Sequence, residues 1–243
     1  MKITFLGLSA FVIEDIERHK ILLDPFDDRP EFQLGVDLPG NLEADFACFS
    51  HKDPDHYNPL VVSKYPAPGG NILKRTVVGN EFNGDEFMIN IFEIDNMTIA
   101  HFADQSVAFS EEQLASIGKV DIAIYSPPKA DGKLAPKALK VVIDNLNKLN
   151  PKMIIWSHFI VPDGWQTNKT TDELREFFRD YLGKNANSNK NYNSRDSFIE
   201  LCYILENGID LNQYFNGSIV AGNSIDINEL PQTMTSVLFS KMS

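Results

Sequence analysis

A layered α/β fold, with helices outside packed sheets, is predicted by three observations in the sequence. The first half of the chain is a succession of short apolar strands, helical spacing of apolar residues does not set in until residue 110, and from there helices and strands alternate.

The expected strands are "KITFL" at 2–6, "AFVIE" at 10–14, "KILLDP" at 20–25, "DFACFS" at 45–50, "FMINIFEI" at 87–94 and "MTIAHF" at 97–102. Each is a short apolar run, and several pairs look antiparallel. "SEEQLASIG" then offers a capping box, Ser110 as N-cap with Gln113 three residues on, and Gly118 as the stop. "DIAIYS" at 121–126 reads as a strand. In "APKALKVVIDNLNKLN" the residues Ala135, Leu139, Val142, Leu146 and Leu149 recur at helical spacing, and "PKMIIWSHF" at 151–159 returns to strand. Beyond His158, Thr170 to Glu173 opens a capped helix carrying Leu174, Phe177, Phe178 and Tyr181. "GKNANSNKNYNSRD" at 183–196 is too polar to bury a core and reads as a mobile surface loop, a helical stretch ends at Gly208, and "SIVAGNSIDI" at 218–227 alternates like a closing hairpin. One domain over 1–243 is expected, with a helical and loop insertion at about 160–216.

The chain has 243 residues, 43% of them hydrophobic, and a net charge of −12. That acidity argues against duplex nucleic acid or an anionic membrane as partner, because neutralising phosphates needs clustered Lys and Arg. The expected partner is a small-molecule substrate, with assembly of identical chains left open. The two cysteines, Cys48 in a strand and Cys202 in a helical pattern, suggest neither a disulfide framework nor a thiolate metal site. The opening "MKITFLGLSAFVIE" lacks the apolar core of a secretory leader, and no run reaches the roughly 18 apolar residues of a membrane span. A cytoplasmic protein is expected.

Chemistry concentrates in "FSHKDPDHYN". His51, Asp53, Asp55 and His56 follow directly on an apolar strand, and imidazole nitrogens and carboxylate oxygens gathered in one tight loop suit Zn, Fe or Mn. Surface loops rich in Asp, His and Pro are common without an ion, so the other histidines carry weight. His101 and His158 also close apolar strands, and Asp104 follows His101 by three residues. Strand ends are where sites gather in layered α/β folds, so these residues can converge. His19, in the polar stretch "EDIERHK", is expected to be solvated.

These segments resemble the metallo-β-lactamase-fold hydrolases, in particular the branch similar to L-ascorbate-6-phosphate lactonase. The resemblance runs through "MKITFLGLSAFVIE", "ILLDPF", "ADFACFSHKDPDHYN", "TIAHFADQ", "VDIAIYSPP" and "NPKMIIWSHF", covering about residues 1–160. It implies a four-layer αββα sandwich of the metallo-β-lactamase type. It also makes His51, Asp55, His56, Asp104 and His158 metal-ligand positions, Asp24 a brace for the metal loop, and His101 a positioning residue. Two positions depart from the pattern. The second His of H-x-H-x-D-H is Asp53 here, which can still ligate and resembles the carboxylate of iron-binding flavodiiron relatives. The lone His before "FMINIFEI" is Asn80, a weak, neutral ligand. The resemblance therefore implies a divalent ion, zinc foremost and manganese or iron as alternatives, at Asp55, His56 and His158, with Asp104 bridging between two sites. A weaker first site is expected at His51, Asp53 and Asn80.

The function implied is hydrolysis of a small ester, lactone, amide or phosphoester by a metal-bound hydroxide, with Asp55 or Asp53 orienting the water and accepting its proton and Asp55 the one taken as catalytic. The rival reading is a degenerate relative that binds or scaffolds without turnover. A redox iron protein is a third, disfavoured by the absence of a flavodoxin-like segment. Trp156, Phe159, Trp165 and Phe82 are candidate pocket walls.

Overall fold

The structure, a computed structural model, describes residues 1–32, 34–127, 135–159, 161, 176, 218–220, 222–239 and 241–242. The insertion expected at about 160–216, including Trp165, the capped helix, the Asn-rich run and the helix ending at Gly208, lies outside the described residues except for Val161 and Glu176.

In chain order the strands are β1 (Lys2–Gly7), β2 (Ala10–Glu14), β3 (Lys20–Leu23), β4 (Phe46–Cys48), β5 (Leu73–Asn80), β6 (Glu86–Ile94), β7 (Met97–His101), β8 (Ile122–Tyr125), β9 (Met153–Trp156), β10 (Ser218–Val220), β11 (Ser224–Asp226) and β12 (Thr235–Phe239). The α-helices are α1 (Pro59–Val62), α2 (Glu111–Ile117) and α3 (Ala135–Leu149). The strands form a five-stranded sheet, β11-β1-β2-β3-β4, and a seven-stranded sheet, β10-β12-β9-β8-β7-β6-β5. The first sheet is antiparallel except for the parallel pair β3 and β4. In the second sheet β7, β8, β9, β12 and β10 run parallel, and β5 and β6 are antiparallel additions at one edge.

Alternation along the first three strands sorts side chains between two cores. Ile3, Phe5, Phe11, Ile13, Ile21 and Leu23 face the main core together with residues of β6 to β9 and β12. Leu6, Ala10 and Leu22 face the other way, into a smaller cluster with Phe26, under Val36, Leu38, Leu42, Val61 and Tyr65. The outer cover of the first sheet is therefore largely loop, with Val61 of the short α1 among its apolar residues. In the second sheet β8 and β9 bury every side chain, as a sheet covered on both faces must. Val142, Ile143 and Leu146 of α3 join the main core, and Asn145 of α3 donates to the Tyr125 hydroxyl at 3.1 Å. This is an α/β fold of two packed sheets, as the sequence predicts.

The capping box of α2 is present: Gln113 N–H donates to Ser110 Oγ at 3.1 Å, and Ser110 N–H to Gln113 Oε1 at 2.9 Å. Three elements differ from the sequence expectation. The stretch 218–227 is no hairpin: β10 joins β12 in the second sheet and β11 joins β1 in the first, with Gly222 at φ +114° between them. The edge strand β5 carries exposed Lys74, Arg75 and Thr76 and has no apolar run to announce it. The short α1 precedes residue 110; Asn58 caps it by accepting from the N–H groups of Leu60 and Val61, and Pro59 sits in its first turn.

No helix among the described residues is long and apolar enough to cross a membrane. Cys48, at the end of β4, is buried, and that burial, reinforced by the Asp24 carboxylate, pushes its thiol up to about 12. At about pH 8 the native thiol is protonated and is expected to resist iodoacetamide, reacting only after denaturation. Peptide mapping of the alkylated chain checks this. Labelling of native Cys48 at the rate of the denatured chain would contradict it.

Candidate metal centre

The candidate site residues all stand at C-terminal strand ends. Asp24 follows β3, the segment His51–His56 follows β4, Asp104 follows β7 and His158 follows β9. The loop after β4 is held from several sides: Asp24 N–H donates to Cys48 O at 3.0 Å, Asp27 N–H to Pro54 O at 2.6 Å, and the Ser9 hydroxyl to Asp55 O. His158 is seated from the opposite sheet, its N–H donating to Leu8 O at 2.6 Å while Leu8 N–H donates to Phe159 O at 2.9 Å. Below that bridge Phe5 stacks on Phe159 and Phe239, with centroids 4.9 and 5.6 Å away.

Two groups of three donors converge here, His51 with His56 and Asp104, and Asp55 with His56 and His158; within each, the donor atoms lie within 4.8 Å of one another. His56 Nε2 is 3.3 Å from Asp104 Oδ2, and His158 Nε2 is 3.1 Å from Asp55 Oδ2 and 3.7 Å from Asp104 Oδ1. Behind them lies Asp24, fully buried, which accepts from Ser50 N–H at 2.7 Å, from the Ser50 hydroxyl at 2.6 Å and from His56 Nδ1 at 2.6 Å. His51 Nδ1 in turn lies 2.9 Å from the Ser50 hydroxyl oxygen. These bonds give Nδ1 of both histidines a polar partner and leave Nε2 turned toward the cluster.

His51 Nε2 and His56 Nε2 are buried without a hydrogen bond. Buried polar atoms of that kind are rare in folded proteins, and two imidazole nitrogens facing carboxylates fit a divalent ion of the Zn, Mn or Fe class. Electrostatics agree. Burial opposes a charge on His56, yet Asp104, Asp55 and Asp24 push its pKa well above the ordinary value. The centre thus favours a cation at that point. Burial, then the neighbouring His56, pushes His51 down, and burial pushes His101 down. Burial would raise Asp24, but the imidazoles of His101 and His56 and the Ser50 hydroxyl hold it below the usual carboxylate range.

His51, Asp55, His56, Asp104 and His158 are thus brought together. Asp53 is not part of either group: its side chain is 65% exposed, with Oδ2 3.5 Å from His51 Nε2. The amide oxygen of Asn80 accepts from Gln113 of α2 at 3.4 Å. His101 is buried with Nε2 3.8 Å from Asp24 Oδ2, behind the donors. His19 is half-exposed and paired with Asp15. Trp156 and Phe159 are buried and belong to the main core, whereas half-exposed Phe82 does line a pocket. That pocket, of about 240 Å³, has Asp104 on its wall together with Asn83, Ser106 and Pro127. Sequence reasoning missed Ser50, whose only signal is a hydroxyl immediately before the first histidine of the loop.

Two packed sheets with a polar centre at the C-terminal strand ends match the metallo-β-lactamase fold. A solved structure shares that fold over the full chain. Residues 2–90 match the family model described as "Beta-lactamase superfamily domain". A Thermotoga maritima structure, assigned as a Zn-dependent hydrolase of the metallo-beta-lactamase superfamily, aligns over 100% of this chain and 99% of its own, at 21% identity and TM-score 0.57. The Bacillus subtilis metallo-beta-lactamase fold protein YhfI aligns over 72% of this chain and 90% of its own, at 11% identity and TM-score 0.43. No curated protein matches the chain.

Proposed function

We propose that the protein is a metal-dependent hydrolase of a small ester, lactone, amide or phosphoester. The observation that carries this reading is the pair of buried ring nitrogens, His51 Nε2 and His56 Nε2, facing carboxylates beside a pocket of about 240 Å³. A divalent ion, when bound, supplies Lewis-acid polarisation of a carbonyl or phosphoryl oxygen and acidifies water. His51, His56, His158, Asp55 and Asp104 are the residues that would hold it. Asp24 and Ser50 fix the orientation of both loop imidazoles, so the donors need no rearrangement. Asp55, whose backbone carbonyl is pinned by Ser9, holds its carboxylate against His158 Nε2, where it can orient a water and accept its proton.

The test is a panel of esters, lactones and phosphodiesters presented to protein loaded with Zn, Mn or Fe. Turnover that disappears with a chelator and returns with the ion is expected. A second reading, binding without turnover, is favoured by the outward position of Asp53 and the engagement of Asn80 with Gln113. It takes the lead if every loaded preparation binds an ion but leaves the whole panel intact.

A further inference from the structure

We infer that Phe82 is a specificity-determining residue of this site, and that its ring receives an aromatic or other apolar arm of a neutral ester, lactone or amide. This rests on the reading of the centre as a hydrolase site.

Phe82 is 53% exposed, and it lines the pocket of about 240 Å³ whose wall also carries Asp104 and Pro127. A lone exposed phenylalanine on a protein surface calls for no explanation. This one is set apart by its mount. It sits in the turn between β5 and β6, which is closed on itself: Glu81 N–H donates to Asp85 O at 3.0 Å, Gly84 N–H to Glu81 O at 3.0 Å, and Asp85 N–H to the Asn83 side-chain oxygen at 2.9 Å. Gly84, at φ +93°, takes the left-handed step of that turn.

The turn is also fastened to the segment that carries Asp104. Phe82 N–H donates to Oγ of the buried Ser106 at 3.1 Å, Ser106 N–H donates to Asn80 O at 3.3 Å, and Asn80 N–H donates to Oε1 of the buried Gln105 at 2.9 Å. Gln105 is itself tied down, its Nε2 donating to Val107 O at 2.6 Å. The two residues that follow Asp104 therefore hold the backbone of the turn, and the aromatic ring is mounted at a set place beside that carboxylate. A ring held in this way offers contact area at little cost in conformational freedom.

The chemistry of the arm follows from the ring and from charge. A phenyl face bears partial negative charge, so it stacks on aromatic and apolar groups and disfavours anions. The net charge of −12 repels anionic substrates on approach as well. Neutral esters, lactones and amides are thereby set ahead of phosphoesters. The pocket lies below the roughly 300–1,000 Å³ of sites for drug-sized ligands, so the substrate is small.

Binding is measured without reference to turnover. Benzylacetone, a neutral ketone with a phenyl arm and no bond to hydrolyse, and 2-butanone, which lacks the arm, are titrated into Zn²⁺-treated protein by ligand-observed NMR. Benzylacetone is expected to bind about tenfold or more tighter than 2-butanone, and Phe82→Ala to shrink that preference by about fivefold or more. Phe82→Trp, which keeps an aromatic face, should retain it. In parallel, the ratio of kcat/KM for benzyl acetate over ethyl acetate should fall by a similar factor in Phe82→Ala, with the change carried by KM. A ketone preference that survives Phe82→Ala, or that is missing in the unaltered protein, overturns the inference while leaving the hydrolase reading standing. Turnover of neither ester, together with loss of the ketone preference in Phe82→Ala, counts against hydrolysis and supports the aromatic subsite.

Discussion

Asp24→Ala is expected to cost about 3–5 kcal/mol of stability and to weaken ion binding by about ten- to a hundredfold. The carboxylate is fully buried and accepts from Ser50 N–H, the Ser50 hydroxyl and His56 Nδ1. Removing it strands those donors where water cannot reach them, which is more damaging than losing the bonds themselves. In a chain of 243 residues that loss corresponds to a fall in Tm on the order of 10 °C. The backbone adds to it: Asp24 sits at φ +41°, a left-handed conformation that Asp tolerates better than Ala. Calorimetry of metal-free protein isolates the stability effect, and titration with Zn²⁺ isolates the affinity. A variant with unchanged Tm and unchanged affinity would show that Asp24 braces nothing.

Asp55→Asn is the second large effect, expected to lower the hydrolytic rate on the order of a hundredfold or more. The amide keeps the shape of the side chain but removes its negative charge and its ability to accept a proton. Oδ2 of Asp55 faces His158 Nε2 at 3.1 Å, so the change falls inside the donor cluster rather than at its edge. Zinc content measured on the same sample separates two causes of a slow variant. A rate that falls while the bound ion is retained assigns the loss to proton handling. A rate that falls only in proportion to lost ion assigns it to ligation, and an unaltered rate removes Asp55 from the reaction.

The strands that end in site residues were legible because each is a short apolar run that stops at a His or Asp. Thus "ILLD", "FACFSH", "TIAH" and "IIWSH" mark their own termini. Edge elements were not. In β5, residues 74–76 are all exposed, so the strand is specified by its ladder to β6 and by α2, which Arg75 reaches through Ile117 O. The stretch 218–227 alternates as a hairpin does, but alternation states which side chains share a face and nothing about which sheet receives them. Within the site, spacing placed Asp53 among the donors. The turn bond from His56 N–H to Asp53 O, at 2.9 Å, carries the chain round so that the Asp53 side chain lies mostly in solvent. Ser50 was invisible for a different reason: its role is to relay between Asp24 and His51, and that depends on a contact 26 residues away in sequence.

The bridge between Leu8 and Phe159 couples the halves of the molecule. Asp24, His51, Asp55 and His56 belong to loops of the first sheet, whereas Asp104 and His158 belong to the second. The donors therefore straddle the seam of the sandwich, and neither sheet alone owns a complete set for the second group. An ion seated there acts as a rivet across the seam, its binding energy resisting separation of the layers as well as holding a substrate in place. The unfolded chain, with donors spread from residue 51 to residue 158, can assemble this rivet only after the layers have docked. Such an ion would hold together layers that have already docked.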